Sequence, residues 1–143
     1  MSVDGIHIPS SVVDRIINNT HIVSPLIKNV SHKMFLQLVK SAVNYSIDPL
    51  FVIATWQLET GHGKSLAWNI QNNPAGIKGE DGNYRTYASQ EEGIEAMCKH
   101  IRKYIDEYDR KTVDEIRSLW SESEDSEKIV KLMKRAAEEL MHE

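Results

Sequence analysis

Residues 48–61 constrain the fold more than any other segment of the chain. Asp48-Pro49 opens them, and the run Pro49-Leu50-Phe51-Val52-Ile53-Ala54-Thr55-Trp56 follows with Thr55 as its only polar side chain. Asp is a good N-cap because its carboxylate accepts from the orphan amides of a first helical turn, and Pro is preorganised for the first helical position. The segment continues through Gln57-Leu58-Glu59-Thr60 to Gly61, a natural residue just past a helix end. A helix apolar around most of its circumference belongs inside a protein. It falls well short of the ~20 apolar residues of a membrane span, so no membrane insertion is expected.

Helical spacing recurs on both sides of this segment. Ser10 or Ser11 caps a short helix with Val12, Val13, Ile16 and Ile17 on one face, closed by Asn18-Asn19-Thr20. Ser31 caps another, whose apolar positions are Phe35, Leu38, Val39, Ala42 and Val43. Ser89-Gln90-Glu91-Glu92 reads as a capping box, and the stripe behind it is Ile94, Met97, Cys98, Ile101, Tyr104, Ile105 and Tyr108. Thr112-Val113-Asp114-Glu115 is a second such box, ahead of Ile116 and Leu119-Trp120. A last helix turns Ile129, Leu132, Met133, Ala136, Ala137 and Leu140 inward. Its early acids, and Lys131, Lys134 and Arg135 further on, suit the helix dipole.

Residues 61–88 break the pattern. They hold Gly61, Gly63, Gly76, Gly79 and Gly82, with Asn69, Asn72, Asn73, Pro74 and Asn83, which is turn chemistry. Ala75-Gly76-Ile77-Lys78 and Tyr84-Arg85-Thr86-Tyr87 flank Gly79–Asn83, so a short β-hairpin is expected at about residues 75–88. The expected fold class is α+β, mainly helical. A chain of 143 residues suits a single domain of ~100–150 residues. It divides into an N-terminal helical segment at 1–30, a core at about 35–105 and C-terminal helices at 112–142.

Composition narrows the chemistry. Seventeen basic against 21 acidic side chains leave a net charge of −4, with the acid excess in the second half, so nucleic acid is not an expected partner. Cys98 is the only cysteine and falls on an apolar stripe, so neither a disulfide within the chain nor a cysteine zinc site is expected. The six histidines never take a metal-ligand spacing, and neither a metal nor a cofactor is expected. Met1-Ser2-Val3-Asp4-Gly5 lacks the basic lead into an apolar run that marks a signal peptide.

Glu59 is the residue with the clearest chemical possibility. A carboxylate in the last turn of a helix faces the negative end of the dipole, which favours its protonated form, as does shielding from water. A protonated carboxylic acid is what a glycosidase uses to protonate a leaving oxygen. Position alone equally allows an ordinary surface glutamate.

Three blocks in order carry more information. They are Ala54-Thr55-Trp56-Gln57-Leu58-Glu59-Thr60-Gly61-His62-Gly63-Lys64-Ser65, then Asn72-Asn73-Pro74-Ala75-Gly76-Ile77-Lys78-Gly79, then Tyr84-Arg85-Thr86-Tyr87-Ala88-Ser89 with Glu91-Glu92-Gly93-Ile94. Together they resemble the bacterial glucosaminidase family of peptidoglycan hydrolases, part of the lysozyme-like superfamily, over about residues 35–105. The resemblance implies a lysozyme-like domain that cleaves the β-1,4 glycan strand of bacterial cell walls. It implies Glu59 as the catalytic acid. Asn73, Gly76, Ile77 and Lys78 would form the floor of the sugar cleft, with Tyr87 near the scissile bond. Glu80 or Asp81 is the candidate base, and Tyr84, Trp56, Trp68 and His62 are candidates for sugar stacking.

Thr60 stands where the family pattern has serine, and His62 replaces its aromatic residue. The hairpin is short, so a second carboxylate is not obvious. Glu59 serves equally in a lytic transglycosylase or a muramidase, and a non-catalytic wall-binding module is the reading from another class. The expected partner is peptidoglycan and the expected state a monomer. Action on the wall without a signal peptide suggests a phage or prophage lysin, or a domain of a longer exported protein.

Overall fold

The computed structural model describes residues 31–107 and 124–142, together with Ser11 and Asp14. Helices α1 (His32–Asn44), α2 (Pro49–Glu59), α3 (Leu66–Gln71), α4 (Gln90–Glu107) and α5 (Glu124–His142) follow one another along it. The helices expected around 12–17 and 112–120, and Tyr108, lie outside the described residues.

Helix α2 is the centre of the fold. Asp48 caps α2 by accepting the Leu50 amide at 2.8 Å, and every residue from Leu50 to Gln57 is buried. Helix α1 packs on α2 and on α4, while α5 packs along α2. Phe35, Leu38, Val39 and Ala42 of α1 are buried in this core, with Ile94, Met97, Cys98, Ile101 and Ile105 of α4 and Ile129, Met133 and Ala136 of α5. Each large apolar side chain so enclosed is worth roughly 1.5–3 kcal/mol. Val43, on the edge of the α1 stripe, stays exposed. Burial pushes the Cys98 thiol up to about 12, so it remains a protonated, inert core residue. No helix among the described residues is long and apolar enough to cross a membrane.

The caps follow the residue types. Ser31 Oγ accepts from Met34 N and Ser89 Oγ from Glu92 N, both at 3.2 Å. Helix α1 ends in a Schellman arrangement: Ile47 N donates to Ala42 O at 2.8 Å and Ser46 N to Val43 O at 3.1 Å. Ser46, not glycine, takes the left-handed position there, at φ 54°. Arg102 of α4 holds this turn by donating to Ser46 O at 3.1 Å while pairing with Asp106. Lys33 of α1 and Glu91 of α4 form an ion pair at 3.2 Å across the helix pair.

The expected β-hairpin is present only as a single antiparallel bridge, Lys78 to Tyr84. Gly79 N donates to Asn83 O and Arg85 N to Ile77 O, each at 2.9 Å, as a hairpin register requires. The reciprocal rungs are taken by side chains. Asn83 N goes to Asp81 Oδ1 at 3.0 Å, and Ile77 N goes to Asn73 Oδ1 at 3.1 Å. Asn73 Nδ2 in turn donates to Arg85 O at 3.0 Å, so its amide group sits where a backbone rung would be. Beyond this point Tyr87 N bonds Gln71 O at 2.9 Å, and the second arm leaves the ladder for the end of α3. The segment is thus a bridged turn stitched to α3, and the described fold is mainly helical.

Candidate active site

Glu59 is the last residue of α2, half-buried, and the chain behind it is tightly specified. Thr60 is fully buried. Its hydroxyl donates to Trp56 O and accepts from Gly63 N at 2.9 Å, while its carbonyl accepts from Lys64 N and Ser65 N, both at 2.9 Å. A serine hydroxyl has the same capacity, so threonine here keeps the function of the smaller residue. His62 N donates to Gln57 O at 2.8 Å and Gly61 N to Leu58 O at 3.3 Å, a Schellman closure with glycine at the left-handed position, as the sequence predicts. Gly61, His62 and Gly63 all have positive φ, at 56°, 58° and 82°. For His62 that conformation costs about 1–2 kcal/mol, offset by the bonds around Thr60. The glutamate is therefore carried at the rim of a rigid helix by a loop with little freedom.

Asn69 Nδ2 ties that loop to α3, donating to Gly63 O and Ser65 O at 2.9 Å each. Helix α3 is capped by Ser65, whose Oγ accepts from Trp68 N at 3.2 Å, and it ends at Asn72 in the left-handed region. Asn72 Nδ2 donates to Tyr87 O at 2.9 Å. Asn73, 1 % exposed, gives both amide hydrogens to backbone, to Ile77 O at 2.8 Å and to Arg85 O, and its oxygen accepts from Ala75 N and Ile77 N. All its hydrogen-bonding capacity is internal. Asn73 is thus a positioning residue that shapes the 74–77 turn, with no group left over for a sugar.

Ile77 is half-buried against the core, and Lys78 and Tyr84 face each other across the bridge. The Lys78 ammonium lies 5.7 Å from the Tyr84 ring centre, close enough for cation–π attraction. A Cβ at Gly76, which has φ 65°, would touch the Tyr84 ring at 3.7 Å. Tyr84 is 48 % exposed and keeps aromatic surface open to solvent. Tyr87 is half-buried. Burial holds its phenol above the ordinary tyrosine range, only partly opposed by Arg85, so it remains a neutral hydroxyl.

Two of the stacking candidates are corrected by the structure. Trp56 and Trp68 are 1 % and 3 % exposed and pack edge to face, ring centres 5.7 Å apart. Their rings join α2 to α3 inside the core and offer no face to a ligand. His62 is half-buried beside Glu59 in sequence, and Glu80 and Asp81 are exposed at the tip of the turn. Asp81 is engaged there, accepting Asn83 N at 3.0 Å and facing Asn83 Nδ2 at 3.5 Å.

Hydrogen bonds thus join Asn73, Ile77 and the 85–87 arm to the end of α3, and through Asn69 to the loop behind Glu59. Sequence reasoning missed Thr60, Asn69 and Asn72 as organisers of this frame. A left-handed helix stop was a legible signal for Asn72. Among the described residues no group of three or more His, Cys, Asp or Glu side chains is placed to hold a metal ion. A model of the family described as Glucosaminidase, mannosyl-glycoprotein endo-beta-N-acetylglucosaminidase, matches residues 37–138, from α1 into α5. No curated protein and no solved structure matches the chain.

Proposed function

The chain belongs to the glucosaminidase family, and from that premise we propose that it hydrolyses the β-1,4 glycan strand of bacterial peptidoglycan on the N-acetylglucosamine side, with Glu59 as general acid. The observation that carries this reading is the setting of Glu59: a half-buried residue at the C-terminal end of a buried helix, followed after Thr60 by three residues at positive φ. The Glu59 carboxyl gives its proton to the bridging oxygen as the bond from that oxygen to the sugar C1 breaks. The departing sugar leaves as a neutral alcohol. Positive charge develops at C1 and the ring oxygen, and the Tyr87 phenol oxygen supplies a dipole to it.

The second half of the reaction needs a nucleophile. With Asp81 bonded to Asn83, the substrate's own N-acetyl oxygen is the group at hand to attack C1. Substrate-assisted hydrolysis of this kind is an established exception to the two-carboxylate rule. Water then attacks C1 and gives a proton to the Glu59 carboxylate as the bond from C1 to the N-acetyl oxygen breaks, which restores the N-acetyl group. The engaged state of Asp81 also supports a second reading, in which the sugar's 6-hydroxyl attacks C1, loses its proton to Glu59 and leaves an anhydro end.

Incubating the purified chain with insoluble peptidoglycan separates catalysis from binding. The proposal expects soluble glycan fragments and new chain ends to accumulate with time. Protein that sediments with the walls and releases nothing would be a binding module, and the proposal would be wrong.

A further inference from the structure

Helix α5 carries a basic face that the acid catalyst does not use. Lys128, Lys131, Lys134 and Arg135 line a groove of about 630 Å³ together with Leu58 of α2, Leu132 of α5 and His62. The volume is that of a small-molecule site. Lys128, Lys131 and Arg135 recur at three- and four-residue spacing, so they form one row about 10 Å long on the helix. The ion pairs described between α1 and α4 and within α4 leave these four cations out. Helix α5 also carries acids, Glu124, Asp125 and Glu127 ahead of Lys128 and Glu138 and Glu139 after Arg135. In a chain of net charge −4, such a concentration of positive charge on one groove is a local feature against the overall balance.

The groove also has a definite place. Leu58 and His62 flank Glu59 in sequence, so it opens at the same helix end as the proposed acid. A ligand held there needs several negative charges spaced along ~10 Å and some apolar surface for Leu58 and Leu132. An extended peptide covers that length in about three residues. Peptidoglycan supplies such a ligand, because its alternate sugars carry short peptides rich in free carboxylates, whereas the glycan itself is largely neutral.

We propose that this groove is a subsite for the carboxylate-bearing peptides of peptidoglycan, so that the chain takes peptide-substituted strands in preference to bare ones. The proposal rests on the wall-hydrolase reading for its biological sense, but its test uses binding alone. The probe is N-acetyl-L-Ala-γ-D-Glu-meso-diaminopimelate, fluorescently labelled and titrated with the full chain, against its fully amidated counterpart. The acidic peptide is expected to bind, and more weakly as salt is raised, because exposed charges are screened. The double variant Lys131→Gln/Arg135→Gln is expected to weaken it roughly five- to tenfold, since exposed pairs contribute ~0.2–1 kcal/mol each. Lys128→Gln/Lys134→Gln repeats the test on the other two cations of the groove, and Lys99→Gln, exposed on α4, leaves affinity unchanged.

Equal affinity for the acidic and amidated peptides, or binding untouched by both double variants, overturns the proposal. So does retention of a polyol-phosphate polymer by a chain that ignores the peptide. Peptide binding by a chain that cleaves no walls keeps the groove and removes the hydrolase reading. Wall cleavage without peptide binding does the reverse.

Discussion

Glu59→Gln is expected to slow glycan cleavage roughly 10²- to 10⁴-fold, the range that a positioned general acid contributes. Glutamine has the same shape and still offers a hydrogen-bond donor, but it has no proton to give to a leaving oxygen. The backbone around it stays as it is, because Thr60, Gln57 and Leu58 hold the following loop through bonds that do not involve the Glu59 carboxyl. The reactive form of the acid is neutral, as glutamine is, so the melting temperature should stay close to that of the wild type. Loss of activity beside intact stability is therefore the signature. The rate of new chain-end release from purified walls, set beside a thermal melt, measures both. A variant that cleaves at the wild-type rate would remove Glu59 from the chemistry.

Gly93→Ala is expected to be the most damaging small substitution in the frame of the site. Helix propensity alone predicts the opposite, since alanine is favoured over glycine inside a helix by ~0.8–1.0 kcal/mol. Close approach decides the sign. A Cβ on Gly93 would lie 1.9 Å from the Asn72 carbonyl oxygen and 3.1 Å from Pro74 Cδ. The first of these is backbone, and Asn72 is also pinned to Tyr87 by its side chain, so it has little room to yield. Overpacking of this kind costs typically 1–3 kcal/mol, and the upper end applies here. A loss of about 3 kcal/mol lowers the melting point of a chain this size by roughly 10 °C. The 72–74 turn that seats Asn73 shifts with it, so cleavage should fall as well. A melt within a degree of wild type would show that α4 slides away from the turn at no cost.

Sequence reasoning reached the central parts of the fold because their signals are local. Asp48-Pro49 and Gly61 bound α2 with residue types whose backbone roles are narrow, and the apolar run between them admits only a buried helix. Ser31 and Ser89 announce the starts of α1 and α4 in the same way. Helix α3 was hidden because it inverts the usual pattern. Leu66 and Ile70 are 74 % and 69 % exposed while Trp68 is its one buried residue, so its apolar positions trace no inward stripe. The hairpin was overread for a different reason. Alternation in residues 75–78 and 84–87 reports a strand, but nothing local reveals that Asn73 replaces one rung and Asp81 another. The two tryptophans near Glu59 look like stacking surface from residue type, and only the packing of α3 on α2 buries them. Lys131, Lys134 and Arg135 satisfy the dipole of α5 as read from sequence. That they border a groove beside Glu59 depends on where α5 docks, which no spacing along one helix reports.

Mass spectrometry of wall digests made in ¹⁸O-labelled water decides whether Glu59 drives hydrolysis of the glycan at N-acetylglucosamine. The predicted product has a borohydride-reducible N-acetylglucosamine end carrying one ¹⁸O, formed by the wild-type chain and nearly absent with Glu59→Gln. An unlabelled anhydro end would make the chain a lytic transglycosylase, and a labelled N-acetylmuramic acid end would move the cut to the other bond. Equal fragment release by wild type and Glu59→Gln would contradict that role for Glu59 outright.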